Sequence, residues 1–170
     1  MSLRGAFGVS VGIGVALCLR VASVWGDLPE TMASHFGAGG VADSYMAKVP
    51  FFLFLAVSAG GSIALVFASA FFIRRIPSRW LNIPNRAYWL ANDERREVAL
   101  DCIVRPLGWI GLLTAALLGA AVELTLRANL DQTAFANDIF VVLLIGYFIL
   151  VVAVLAWMFR ELDRLARAVG

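Results

Sequence analysis

Pro50-Phe-Phe-Leu-Phe-Leu-Ala-Val-Ser-Ala-Gly-Gly-Ser-Ile-Ala-Leu-Val-Phe-Ala-Ser-Ala-Phe-Phe-Ile73 contains no charged residue. A helix needs about 20 apolar residues to cross about 30 Å of hydrocarbon, and this stretch has them. Three other stretches share the property: about Ala6 to Trp25, interrupted by Arg20; about Leu107 to Leu126, containing Glu123; and about Ile139 to Phe159, uncharged. Backbone groups in lipid must be bonded within their own segment, so these are helices. The whole chain agrees, being 61% hydrophobic and 15% charged with a mean hydropathy of +0.85. Soluble domains run about 45–50% apolar and about 25% charged, so a soluble domain and a disordered chain are both excluded. The expected fold is all-α: an integral membrane four-helix bundle, one transmembrane domain over residues 1–170. Loop 26–49 joins spans one and two, and loop 74–106 joins spans two and three.

The basic residues orient the bundle. Arg4 precedes span one; Arg74, Arg75, Arg79, Arg86, Arg95, Arg96 and Arg105 lie between spans two and three; Arg160, Arg164 and Arg167 follow span four. Only Lys48 and Arg127 fall on the other side, with Arg20 inside a span. The positive-inside bias therefore places both termini and loop 74–106 in the cytoplasm and loop 26–49 outside. The expected location is a bacterial cytoplasmic membrane, crossed several times. The basic balance is thus a topology signal, and with a net charge of only +2 it gives no nucleic-acid partner. Span one reads as a retained helix and not a signal peptide. Its apolar run exceeds the usual h-region of about 7–15 residues, and Val24-Trp25-Gly26 lacks the small-x-small cleavage pattern. Cys18 and Cys102 fall on opposite sides of the midplane, too far apart for a disulfide. One histidine and no cysteine cluster leave no four-ligand zinc site.

Helices in lipid associate through close packing at small residues. Gly8, Gly12 and Ala16 form such a stripe on span one, Ala56, Gly60 and Ala64 on span two, and Gly111, Ala115 and Gly119 on span three. All three are expected to pack within the molecule. Span four is made of large residues and is expected to be the most peripheral. Glu123 continues the span-three stripe near the outer boundary, where Arg20 also falls. Two pairings are open to it: Arg127 at i,i+4, or Arg20 across the bundle.

Loop 26–49 is too long for a simple connector, which needs only a few residues. It holds the only histidine, His35, and the only lysine, Lys48, with Asp27, Glu30 and Asp43. Gly37, Gly39 and Gly40 permit a sharp turn after Phe36. Leu28-Pro29, His35-Phe36, Gly40, Asp43, the aromatic Tyr45 and Lys48 resemble the signature of a membrane domain of unknown function. That domain occurs at the N-terminus of SdpI-type toxin-immunity proteins and in small bacterial membrane proteins. Ala33 departs from the family pattern, which usually has proline there. Asn82-Ile-Pro-Asn-Arg-Ala-Tyr-Trp-Leu90, followed by Glu94-Arg-Arg-Glu97, resembles the family's cytoplasmic segment. The resemblance implies a multi-span membrane protein and, for the immunity proteins, protection from a membrane-active toxin and signalling.

Taken from the residues alone, the loop has three uses. His35 and Asp43 are candidate metal ligands, though a transition-metal site usually wants more nitrogen or sulfur. His35 beside Ser34 or Ser44 would be a base and a nucleophile. The favoured expectation is a cap in which His35, Asp43 and Lys48 bond one another and seal the bundle, with a ligand site built on it. The candidate ligand-binding set is His35, Phe36, Asp43, Tyr45, Lys48, Arg20 and Glu123, with no catalytic residue and no cofactor. On the cytoplasmic side, Arg74, Arg75, Arg79, Trp80, Tyr88 and Trp89 are the membrane-surface or docking candidates. Asn92 is expected to cap a short helix, and Pro106 to open span three. The expected partners are the lipid bilayer and an envelope ligand, peptide or lipid. A membrane-protein partner is the alternative, the chain then being an accessory subunit of a larger complex. An envelope-facing enzyme or metal-dependent activity centred on His35 is a third possibility.

Overall fold

The computed structural model describes residues 1–168. Four long helices correspond to the four apolar stretches: α1 (Leu3–Val24), α2 (Lys48–Ile73), α4 (Asp93–Asp131) and α5 (Asn137–Ala168). A 3-10 turn (Ser78–Trp80) and a short helix, α3 (Arg86–Trp89), lie between α2 and α4. All four long helices have the length and hydropathy of membrane spans. The molecule is a helical membrane protein.

The start of α4 differs from expectation. The short helix expected after Asn92 and the span expected to open at Pro106 are one helix of 39 residues. Asn92 caps it, its side chain accepting the Arg95 N–H, and Asp93 and Glu94 sit in the positive first turn. Pro106 is internal and fully buried. An internal proline forfeits a hydrogen bond and costs about 3 kcal/mol. Two residues on, α4 meets α1 closely: a Cβ on Gly108 would lie 3.3 Å from Ala6 and 3.4 Å from the Leu3 backbone. Span four continues into the charged tail as its i,i+3 and i,i+4 charge spacing implies, with Glu161 paired to Arg164 and Asp163 to Arg167.

α4 is the central element, and α1, α2 and α5 each lie along it. Its stripe of Gly108, Gly111, Ala115 and Gly119 is buried, as expected of span three. Gly119 faces Ile13 and Leu17 of α1, and Gly111 faces the Phe67 ring of α2. Thr114 Oγ1 lies 3.2 Å from the Tyr147 hydroxyl of α5. The stripes on α1 and α2 correct the expectation. Gly8, Gly12, Ala16, Ala56, Gly60 and Ala64 are all exposed. The reason lies in the helix period: α1 meets α4 through Ala6 and Ser10 with half-buried Ile13 and Leu17, which turns its glycine stripe to the far side. α5 packs on α4 and leaves most of its surface open, the peripheral position that its large residues imply.

The fold is not wholly α. Between α1 and α2 stands an antiparallel hairpin, β1 (Thr31–Phe36) and β2 (Ala42–Ala47), pairing Thr31 with Ala47, Met32 with Met46 and Ala33 with Tyr45. An irregularity follows, and His35 pairs with Ser44. The turn uses Gly39 (φ 81°) and Gly40 (φ 78°), backbone conformations that side chains disfavour. Met32 anchors the hairpin, fully buried with Leu28, Phe51 and Leu126. Chain contacts define two ends. Leu3, Arg74, Asn85 and Asp163 gather near the start of α4 and the end of α5, and the hairpin gathers with Asn129 and Asn137 at the other end.

Candidate ligand-facing hairpin

The hairpin is fixed to α4 by one side chain. Ala33 N–H donates to Asn129 Oδ1 at 2.6 Å, and Asn129 Nδ2 donates to Ala33 O at 3.2 Å and Thr125 O at 3.0 Å. The carboxamide thus makes the two bonds that a neighbouring strand would make, and both partners are buried. The chain between α4 and α5 fixes the tip: Phe135 N–H donates to Gly40 O at 2.8 Å, and Asn137 Nδ2 to Gly37 O at 3.2 Å. The Phe36 ring stacks on Phe135 with centroids 5.1 Å apart. None of Asn129, Phe135 and Asn137 was among the sequence candidates. Asn129 was detectable, since it lies one step beyond Leu126 on the face that continues the buried α4 stripe.

The candidates divide into those turned outward and those used within the fold. His35 Nδ1 and Asp43 Oδ1 lie 2.5 Å apart, with side chains 70% and 52% exposed. Tyr45 is 61% exposed, and Phe36 is half-buried against Phe135. Lys48 does not join His35 and Asp43, which corrects the three-membered cap. Its ammonium is buried, donating to Trp25 O at 3.2 Å and pairing with Glu30 Oε1 at 2.9 Å, above the Trp25 ring. Strand pairing is the cause: Lys48 N–H donates to Glu30 O, so the side chain folds back onto the end of α1. Arg20 and Arg127 both pair with Glu123, at 3.3 and 2.8 Å, one on each carboxylate oxygen. The two pairings coexist. Neither the Ser34 nor the Ser44 hydroxyl hydrogen-bonds the His35 ring among the described residues. No cluster of three or more metal-ligating side chains occurs among them.

At the opposite end Arg74 pairs with Glu97 at 3.4 Å and with Asp101. Arg75 lies over the Phe71 ring, and Arg95 over the half-buried Tyr88. Trp89 is an interior residue, packed with Ala99, Leu162 and Ala166, and is corrected as a surface candidate. Arg79 and Trp80 remain exposed. Arg86 and Arg96 were not singled out in sequence, yet they hold the loop. Arg86 donates to Leu81 O and Ser78 O, and Arg96 to Ile76 O and Ser78 Oγ.

A helical membrane protein with a hairpin clamped across one end is the class that these features define. The family model described as Domain of unknown function (DUF1648) matches residues 12–59. That stretch takes in most of α1, the whole hairpin and the first half of α2, so the domain of unknown function expected from the loop motif is present there. No curated protein and no solved structure matches the chain.

Proposed function

We propose that the chain is a non-catalytic, SdpI-like protein of the bacterial cytoplasmic membrane, with both termini inside, and that its hairpin binds an envelope ligand in an immunity or sensor role. One observation carries the proposal. The hairpin is held rigidly by Asn129 and Met32, while His35, Asp43 and Tyr45 are left facing outward. A connector needs no such investment, and binding groups are commonly loops positioned by a rigid scaffold. The sidedness rests on the arginine bias. The test is sensitivity of the native bacterium to envelope-active toxic compounds. Deletion of the gene is expected to sensitise cells to one of them, with the same phenotype in His35→Ala at normal protein level. An unchanged phenotype in both strains would overturn the binding role.

A second reading, that of an accessory subunit in a larger complex, is favoured by the outward stripe Gly8, Gly12 and Ala16. No atom lies within 4 Å of a Cβ built on Gly8 or Gly12, so Gly12→Leu should leave the fold intact. Loss of a stoichiometric partner on purification of Gly12→Leu from native membrane would support it. Purification of the wild type without any partner would count against it.

A further inference from the structure

Between the hairpin and the end of α4 lies an open cavity of about 430 Å³, within the size range of small-molecule sites. We propose that this cavity binds a neutral saccharide, a proposal that rests on the hairpin being a ligand-binding surface. None of its lining residues is charged, which disfavours an ion or an anionic headgroup. Its polar side chains are the buried Asn129, already bonded to Ala33 and Thr125, and, on exposed residues, the hydroxyls of Thr31, Thr133 and Tyr45 and the carboxamide of Gln132. The four exposed side chains have no hydrogen-bond partner among the described residues. Hydroxyls and amides both donate and accept, as sugar hydroxyls do, and they discriminate by direction without charge. The exposed Tyr45 ring supplies flat apolar surface beside them, matching the C–H face of a pyranose, and Phe36, stacked on Phe135, adds apolar lining. An extended peptide would instead use the backbone edge of β1. That edge is closed at Ala33, whose N–H and C=O are both bonded to Asn129. The site therefore offers side-chain hydrogen bonds and ring faces, not a strand template.

The test uses the full chain in lipid nanodiscs and saturation-transfer NMR, avoiding sugar-based detergents. The probes are maltose and N,N′-diacetylchitobiose at millimolar concentration, with a neutral acetylated hexapeptide in a parallel arm. Transfer to the ring protons of one saccharide is expected. Thr133→Trp, a change at an exposed position that fills the cavity, should abolish it. Tyr45→Ala, which removes one ring face, should weaken binding at least about five-fold. Circular dichroism of both variants confirms the fold. No transfer to either saccharide, or transfer that persists in Thr133→Trp, overturns the proposal. If only the hexapeptide receives transfer and Thr133→Trp abolishes it, the saccharide assignment falls and the hairpin's binding role stands. If no probe binds while His35→Ala still sensitises cells, the saccharide assignment alone falls; if no probe binds and neither deletion nor His35→Ala changes the toxin phenotype, both fall.

Discussion

The two ends of the bundle are closed by different chemistry. At the hairpin end the ties on the strands and the turn are neutral: a buried carboxamide on Ala33, backbone bonds to Phe135, and the apolar cluster around Met32. The ion pairs that tie this end lie at the hairpin's base (Lys48 on Glu30) and between the helices (Arg20 and Arg127 on Glu123). At the basic end they are ionic or made by guanidinium groups: Arg74 on Glu97 and Asp101, Arg86 and Arg96 on loop carbonyls, Asn85 on Asp163 at 3.0 Å. The contrast explains where the free chemistry lies. The basic end spends many of its charges on its own loop. The hairpin end is held without using its exposed ionisable pair, so His35 and Asp43 remain available to something outside the molecule.

The comparison breaks most visibly at Asn129. Asn129→Ala strands two buried backbone groups at about 1–3 kcal/mol each, so a loss of several kcal/mol is expected. Thermal unfolding and hydrogen exchange across residues 31–36 would read it, and the loss should be nearly independent of salt. A change in exchange confined to residues 74–92 would contradict the clamp. Arg96→Ala removes the guanidinium from Ile76 O and Ser78 Oγ, and about 1–2 kcal/mol is expected because hydrogen bonds to charged groups are the stronger kind. Its exchange signature should appear in the 74–92 loop and leave the hairpin untouched. A double-mutant cycle of Arg20→Met and Glu123→Gln should give a coupling of about 0.5–1 kcal/mol, kept small by the second partner, Arg127. Zero coupling would mean that Glu123 belongs to Arg127 alone. The smallest effect on stability belongs to His35→Ala. An exposed pair contributes about 0.2–1 kcal/mol or less, so the unfolding midpoint should barely move while the binding phenotype is lost.

The four spans were legible because charge exclusion over about 20 residues is a strong constraint. The boundaries of α4 were not, since Pro106 reads as a start signal, and its burial and the neighbouring contact of Gly108 with the beginning of α1 depend on tertiary packing. The small-residue stripes announced close packing without saying which faces meet. Only the tertiary arrangement around α4 turns the α1 and α2 stripes outward. The hairpin was read as a structured loop, yet its strands went unseen. Ala33, Ser34, Ala42 and Ser44 carry little strand propensity, and Met32 and Asn129 supply the missing determinants from opposite sides. Of the loop candidates, His35, Asp43 and Tyr45 emerged on the surface. Lys48 and Trp89, equally conspicuous in sequence, turned out to be interior residues.

The account turns on the hairpin facing away from the cytoplasm. Single cysteines at Tyr45 and Arg79, in a chain with Cys18 and Cys102 replaced by serine, can be labelled in intact spheroplasts with a membrane-impermeant maleimide. Both positions are exposed, so accessibility depends on sidedness alone. Tyr45→Cys is expected to label in intact spheroplasts, and Arg79→Cys only after permeabilisation. The reverse pattern would place the hairpin in the cytoplasm and contradict the proposed function.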